Sequence, residues 1–97
     1  MNQSISTAIN NKNLISFVYK NLPRVVEPHA YGETKDGGER LRAYQVDGQS
    51  ESRSVPCWGL FKIEEMENIN VLTDTFDGPE TGYSRGDKAM SLIYAEL

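Results

Sequence analysis

The run from Phe17 to Tyr44, FVYKNLPRVVEPHAYGETKDGGERLRAY, constrains the fold of this chain more than any other feature. It encodes two antiparallel hairpins written back to back. Leu14–Tyr19 is rich in β-branched and aromatic residues and reads as a strand. Asn21-Leu22-Pro23 interrupts it, and Arg24–Gly32 reads as the returning strand. Pro28 lies inside that strand and cannot donate a ladder hydrogen bond, so a bend, a bulge or a locally unpaired edge is expected there. Thr34-Lys35-Asp36-Gly37-Gly38 is a turn, because glycine supplies positive φ. Arg40–Val46 is the third strand. Connections this short leave no room for a crossover helix, so the sheet is antiparallel.

The rest of the chain extends this pattern. Ile5, Ala8 and Ile9 recur at helical spacing after Ser4, and Asn10-Asn11-Lys12-Asn13 ends the pattern, which predicts one short N-terminal helix. A helix of about two turns does not persist alone in water, so it must dock by its isoleucine face. Asp47–Ser54 is wholly polar and reads as an exposed loop. Trp58–Ile63 and Glu67–Leu72 are the fourth and fifth strands, with a turn at Glu64-Glu65-Met66. Asp74–Gly86 reads as an ordered loop. Asp87 then caps a C-terminal helix with Met90, Ile93 and Leu97 on one face. The expected fold is mainly β with flanking helices. Five short antiparallel strands around one core predict a small Sm/SH3-like barrel over residues 12–73, where closure hides most edges. Residues 74–97 form the loop and the second helix.

Ninety-seven residues make a single domain with room for one core. No apolar run approaches the ~18 residues of a membrane span, and the N-terminus lacks a basic region followed by an apolar one, so no membrane partner and a cytoplasmic setting are expected. The single Cys57 agrees, since it has no internal disulfide partner and reads as a small packed side chain. The net charge is −4, placed unevenly: residues 1–46 balance at +2 and residues 47–97 at −6. An acidic total argues against broad electrostatic capture of nucleic acid. It leaves room for a local anion site in the first half.

Period-two alternation places Val25, Glu27, His29 and Tyr31 on one face of the second strand. It places Arg40, Arg42, Tyr44 and Val46 on one face of the third. Pairing of the polar faces would gather Glu27, His29, Tyr31, Arg40, Arg42 and Tyr44 into one patch. Arginine forks beside tyrosines suit a phosphate, a carboxylate or a stacked base. Without a ligand, the same residues are a solvated face with a cross-strand Glu–Arg pair worth under ~1 kcal/mol. A second anion-site candidate is Tyr83–Lys88, where Arg85 and Lys88 flank the start of the expected helix. Enzyme chemistry finds little support. The only histidine has no nucleophile or orienting partner at a recognisable spacing. One His and one Cys give no metal-ligand set, and no phosphate-loop motif is present, so neither metal nor cofactor is expected. Glu64, Glu65 and Glu67 read as a charged surface turn.

Several of these segments together resemble the WYL domain. An I-x-F-x-Y strand is followed by R-x-V-x-P, a Gly-Gly turn and L-x-A-Y. Here these are Ile15, Phe17, Tyr19, Arg24, Val26, Pro28, Gly37, Gly38, Leu41, Ala43 and Tyr44. Phe61-Lys62-Ile63-Glu64-Glu65-Met66 resembles that family's closing strand and turn. The resemblance covers roughly Ile5–Leu72. It implies an Sm/SH3-like barrel with a ligand-sensing or regulatory role in bacterial transcription control or in CRISPR and phage defence. It further implies a nucleotide-like or nucleic-acid ligand held by a basic and aromatic patch. The chain also departs from the family. The Trp-Tyr-Leu triplet aligns with Glu39-Arg40-Leu41, the arginine of the closing motif with Glu65, and a further arginine with Gly59. Ligand residues carry over at Arg24 and Tyr44, with Arg40 and Arg42 placed to substitute for the lost charge. The expected ligand residues are thus Arg24, His29, Tyr31, Arg40, Arg42 and Tyr44, with Arg85 and Lys88 second. The expected partner is a small anionic or nucleotide-like ligand or a short single strand. The alternative is a protein-interaction or oligomerisation module pairing through strand edges with another copy or a regulatory protein.

Overall fold

A computed structural model describes residues 2–97. Helix α1 spans Gln3–Asn11. Asn2 caps it, its Oδ1 accepting the Ile5 N–H at 3.2 Å. Lys12, at φ 56°, ends it in the left-handed conformation. Ile5, Ala8 and Ile9 are fully buried, so this short helix is held by its apolar face as its length requires.

Six strands follow: β1 (Asn13–Tyr19), β2 (Leu22–Glu33), β3 (Glu39–Gly48), β4 (Cys57–Lys62), β5 (Met66–Thr75) and β6 (Leu92–Glu96). All pairings are antiparallel. The main path runs β4-β3-β2-β1-β5, and β6 pairs with β2. The two outermost strands of this path, β4 and β5, are joined only by a 3-10 turn at Ile63–Glu65. Four intervals of a flat sheet would separate them by about 19 Å. The link from Lys62 to Met66 spans at most about 14 Å. The sheet must therefore curl strongly. No ladder joins β4 to β5 among the described residues, so the sheet is open where a closed barrel was expected.

The long strand β2 organises the domain. Its first half, Leu22–Val26, pairs with β1, and its second half, Ala30–Glu33, pairs with β6. β3 runs along its other side. Pro28 pairs with Ala43 but Ala30 pairs with Arg42, so His29 is the extra residue of a bulge. This is the irregularity Pro28 led one to expect. The bulge resets the alternation: Tyr31 now faces the core opposite Leu41 instead of sharing the face of Glu27.

The core joins Ile5, Ile9, Ile15, Phe17, Val26, Tyr31, Leu41 and Phe61. Phe17, Tyr19 and Phe61 pack edge to face with centroids 5.0–6.3 Å apart. Gly32 lets β6 approach closely, since a Cβ there would lie 2.2 Å from the Leu92 carbonyl oxygen.

The expected C-terminal helix does not form. Asp87 does begin a turn, accepting the Ala89 N–H on Oδ1 at 3.0 Å and the Met90 N–H on its carbonyl at 3.1 Å. The Ser91 N–H then bonds the Glu33 carbonyl at 2.8 Å, which diverts the chain into the ladder with β2. Ile93 and Tyr94 suit a strand better than a helix. No helix of the described residues is long and apolar enough to cross a membrane.

Candidate anion-binding site

A cavity of about 300 Å³ opens between β3, β4 and the loop joining them. Arg24, Arg42 and Arg53 line it, with Gln45, Ser50, Ser52, Tyr19 and Trp58 among its other walls, and no carboxylate does. Arg24 projects from β2 and is 6% exposed. Its guanidinium lies over the Tyr19 and Phe61 rings, 5.4 and 5.8 Å from their centroids. It donates to the Tyr19 carbonyl at 3.1 Å and to Gln45 Oε1 at 3.4 Å. Both acceptors are neutral, and its Nε has no acceptor. No acidic side chain pairs with Arg24 or Arg53 among the described residues. Gln45 is fixed in turn by donating to the Asp47 and Gln49 carbonyls at 3.1 Å.

Arg42 also lines a second cavity, of about 330 Å³, with Trp58, Tyr83, Arg85 and Lys88. Arg42 and Trp58 thus form a wall common to both cavities. In this second cavity the charges are largely paired. Arg42 donates through Nε and Nη2 to Asp87 at 2.7 and 3.3 Å, and Arg85 lies 3.0 Å from Glu96. The Arg42 fork holds Asp87 below the usual carboxylate range. Trp58 and Tyr83 stack with centroids 6.3 Å apart, and Trp58 Nε1 donates to the Thr81 carbonyl at 3.2 Å.

The other expected ligand residues lie elsewhere. His29 is fully buried. Its Nδ1 meets the Glu27 carbonyl at 2.8 Å, and its Nε2 accepts the Glu80 N–H at 3.0 Å. That pattern requires the neutral tautomer protonated on Nδ1, and burial lowers the pKa in the same sense. Trp58, Phe76 and Tyr83 surround its ring at 4.7, 5.7 and 5.0 Å. Tyr31 is also fully buried. Its hydroxyl accepts the Asn2 N–H at 2.6 Å and donates to Glu39. These two side chains are thus spent on the fold. Arg40 sits at the far end of β3, bonded to the Glu39 carbonyl at 2.9 Å and Glu64 at 3.5 Å. Tyr44 faces Trp58 across the β3–β4 ladder with ring centroids 5.1 Å apart, outside both cavity linings.

Arg53, Ser50 and Ser52 were not foreseen, because the polar segment before Cys57 reads only as an exposed loop. The loop is anchored: Arg53 donates to the Trp58 carbonyl at 3.1 Å, and the Gln49 N–H bonds the Pro23 carbonyl at 2.9 Å. Arg53 was visible as the only basic residue of that loop. The described residues contain no side-chain cluster able to hold a metal ion.

Comparison of the chain with protein-family models, with curated proteins and with solved structures finds no match.

Proposed function

We propose that this chain is a non-enzymatic ligand-sensing domain that binds a small anionic or nucleotide-like ligand, or a short single strand, in the Arg24–Arg42–Arg53 cavity. The observation that carries this reading is Arg24, a charge taken out of water with only neutral acceptors around it. Burial of an unpaired guanidinium costs several kcal/mol, and an entering anion would recover part of that cost. Tyr19 and Trp58 add ring surface at the same cavity, suited to a planar ligand. The strong curl of the sheet, forced by the short β4–β5 link, favours an Sm/SH3-like build and with it the WYL-like reading.

The test is thermal denaturation at fixed ionic strength with pyrophosphate, nucleoside phosphates and short oligonucleotides. A ligand at one hundred times its Kd stabilises by about 2.7 kcal/mol, a rise of roughly 10–20 °C for a domain of this size. Arg42→Ala and Arg24→Met should remove that rise. An unchanged melting temperature with every compound would overturn the proposal.

A second reading is favoured by the open strand edges of the sheet. β4 and β5 each pair on one side only, and Leu60 and Val71 on them are 37% and 43% exposed. An interaction or oligomerisation module would pair through these edges. Light scattering over a concentration series decides this, and a strict monomer counts against it.

A further inference from the structure

On the opposite side of the charge ledger lies a cavity of about 540 Å³ lined by Glu27, Thr75, Phe76, Asp77, Gly78, Pro79 and Glu80. It holds three carboxylates and no basic residue. His29 does not balance them, because both its ring nitrogens are engaged in the neutral form. Glu27 is 8% exposed, and its Oε1 is buried without a hydrogen-bond partner. The Glu27 carboxyl also shares a side-chain hydrogen bond with Glu80, and the charges of Glu80 and Asp77 crowd it, so a cationic donor entering the cavity would relieve three acids held close together.

We propose that this cavity binds a small organic cation through an ammonium or guanidinium group. The donors of such a group would meet the carboxyl groups of Glu27, Glu80 and Asp77 that line the cavity. Two observations favour an organic cation over a bare ion. The carboxylates do not converge into a metal-holding cluster, and the space far exceeds the ~30 Å³ share of one water. Phe76, stacked on His29 at 5.7 Å, and Pro79 supply an apolar wall for an alkyl body. The loop is held ready for it, since the Glu80 N–H is fixed on His29.

The experiment titrates agmatine and putrescine into the protein at near-neutral pH and matched ionic strength, read by backbone amide NMR. Saturable shifts confined to Glu27 and residues 75–80 are expected. Glu27→Gln and Glu80→Gln should each weaken binding about tenfold or more, the scale of one lost charge-assisted contact. Asp77→Asn, at an exposed position, serves as the variant that leaves folding untouched and should weaken binding less. No saturable shift up to about 10 mM, a free energy too small for a built site, would overturn the proposal. Equal affinity in the Gln variants would do the same, as would a response to Ca²⁺ without one to the amines. Tighter binding of a blocked Gly-Arg-Gly peptide than of agmatine would overturn the assignment to a small free cation.

Discussion

His29 Nε2 accepts the backbone N–H of Glu80 at 3.0 Å, across fifty-one positions of sequence. This bond ties the loop after β5 to the bulge of β2. Tyr83 adds to it, its hydroxyl lying 3.4 Å from the His29 carbonyl and 3.3 Å from the Leu97 carbonyl. His29→Ala should therefore cost about 2–4 kcal/mol, from the cavity left among three aromatic rings and the orphaned Glu80 donor. Urea denaturation measures the loss. Hydrogen exchange should show protection falling first at Glu80.

Glu27 imposes a pH dependence. Burial, the hydrogen bond that protonated Glu27 makes to the Glu80 carboxylate and the charges of Glu80 and Asp77 push its pKa from 4.5 up to about 7. The folded state thus holds a proton that the unfolded state releases. Stability from this group is fully present below pH 4.5 and is lost as pH rises through about 7. Glu27→Gln should flatten that decline and raise the melting temperature above neutrality by several degrees, roughly 4–8 °C per kcal/mol. Melting curves from pH 4 to pH 8 check it, and an unaltered slope in the variant would count against Glu27 as the source.

Arg24→Met should leave the ligand-free protein within about 1 kcal/mol of the parent, or make it more stable. The methionine keeps apolar contact with Tyr19 and Phe61 while removing a buried unpaired charge. A loss above about 3 kcal/mol in chemical denaturation would show that the charge itself supports the fold.

Gly32→Ala tests the docking of β6. Its Cβ would meet Leu92 O at 2.2 Å and Met90 Sδ at 3.0 Å. Backbone must shift, and a destabilisation of about 1–3 kcal/mol is expected. Limited proteolysis should cut first within residues 84–97.

The hairpins and the N-terminal helix were legible because their signals are local. Ile5, Ala8 and Ile9 mark the helix, and Asp36-Gly37-Gly38 marks the turn between β2 and β3. The C-terminal segment was misread because Met90, Ile93 and Leu97 fit a helical spacing equally well. What decides it is a distant partner, the Glu33 carbonyl and the ladder beyond it. The site was half legible. Arg24 is named by the family resemblance and Arg42 by its strand face, but strict alternation puts Tyr31 beside Arg42. The bulge at His29 moves Tyr31 through the sheet into the core, and Pro28 signalled an irregularity without giving its sense. Arg53 escaped because a loop residue reveals its neighbours only after folding.

The division of β2 between two partners also bears on how the chain is made. β1 can zip onto Leu22–Val26 as soon as both emerge, but Ala30–Glu33 keeps an open edge until Leu92–Glu96 has been synthesised. During that interval the nascent domain presents a template on which a neighbouring chain could add a strand. A variant stopped before Leu92 would carry this opening permanently, and aggregation in the cell, more than lost activity, would be its signature.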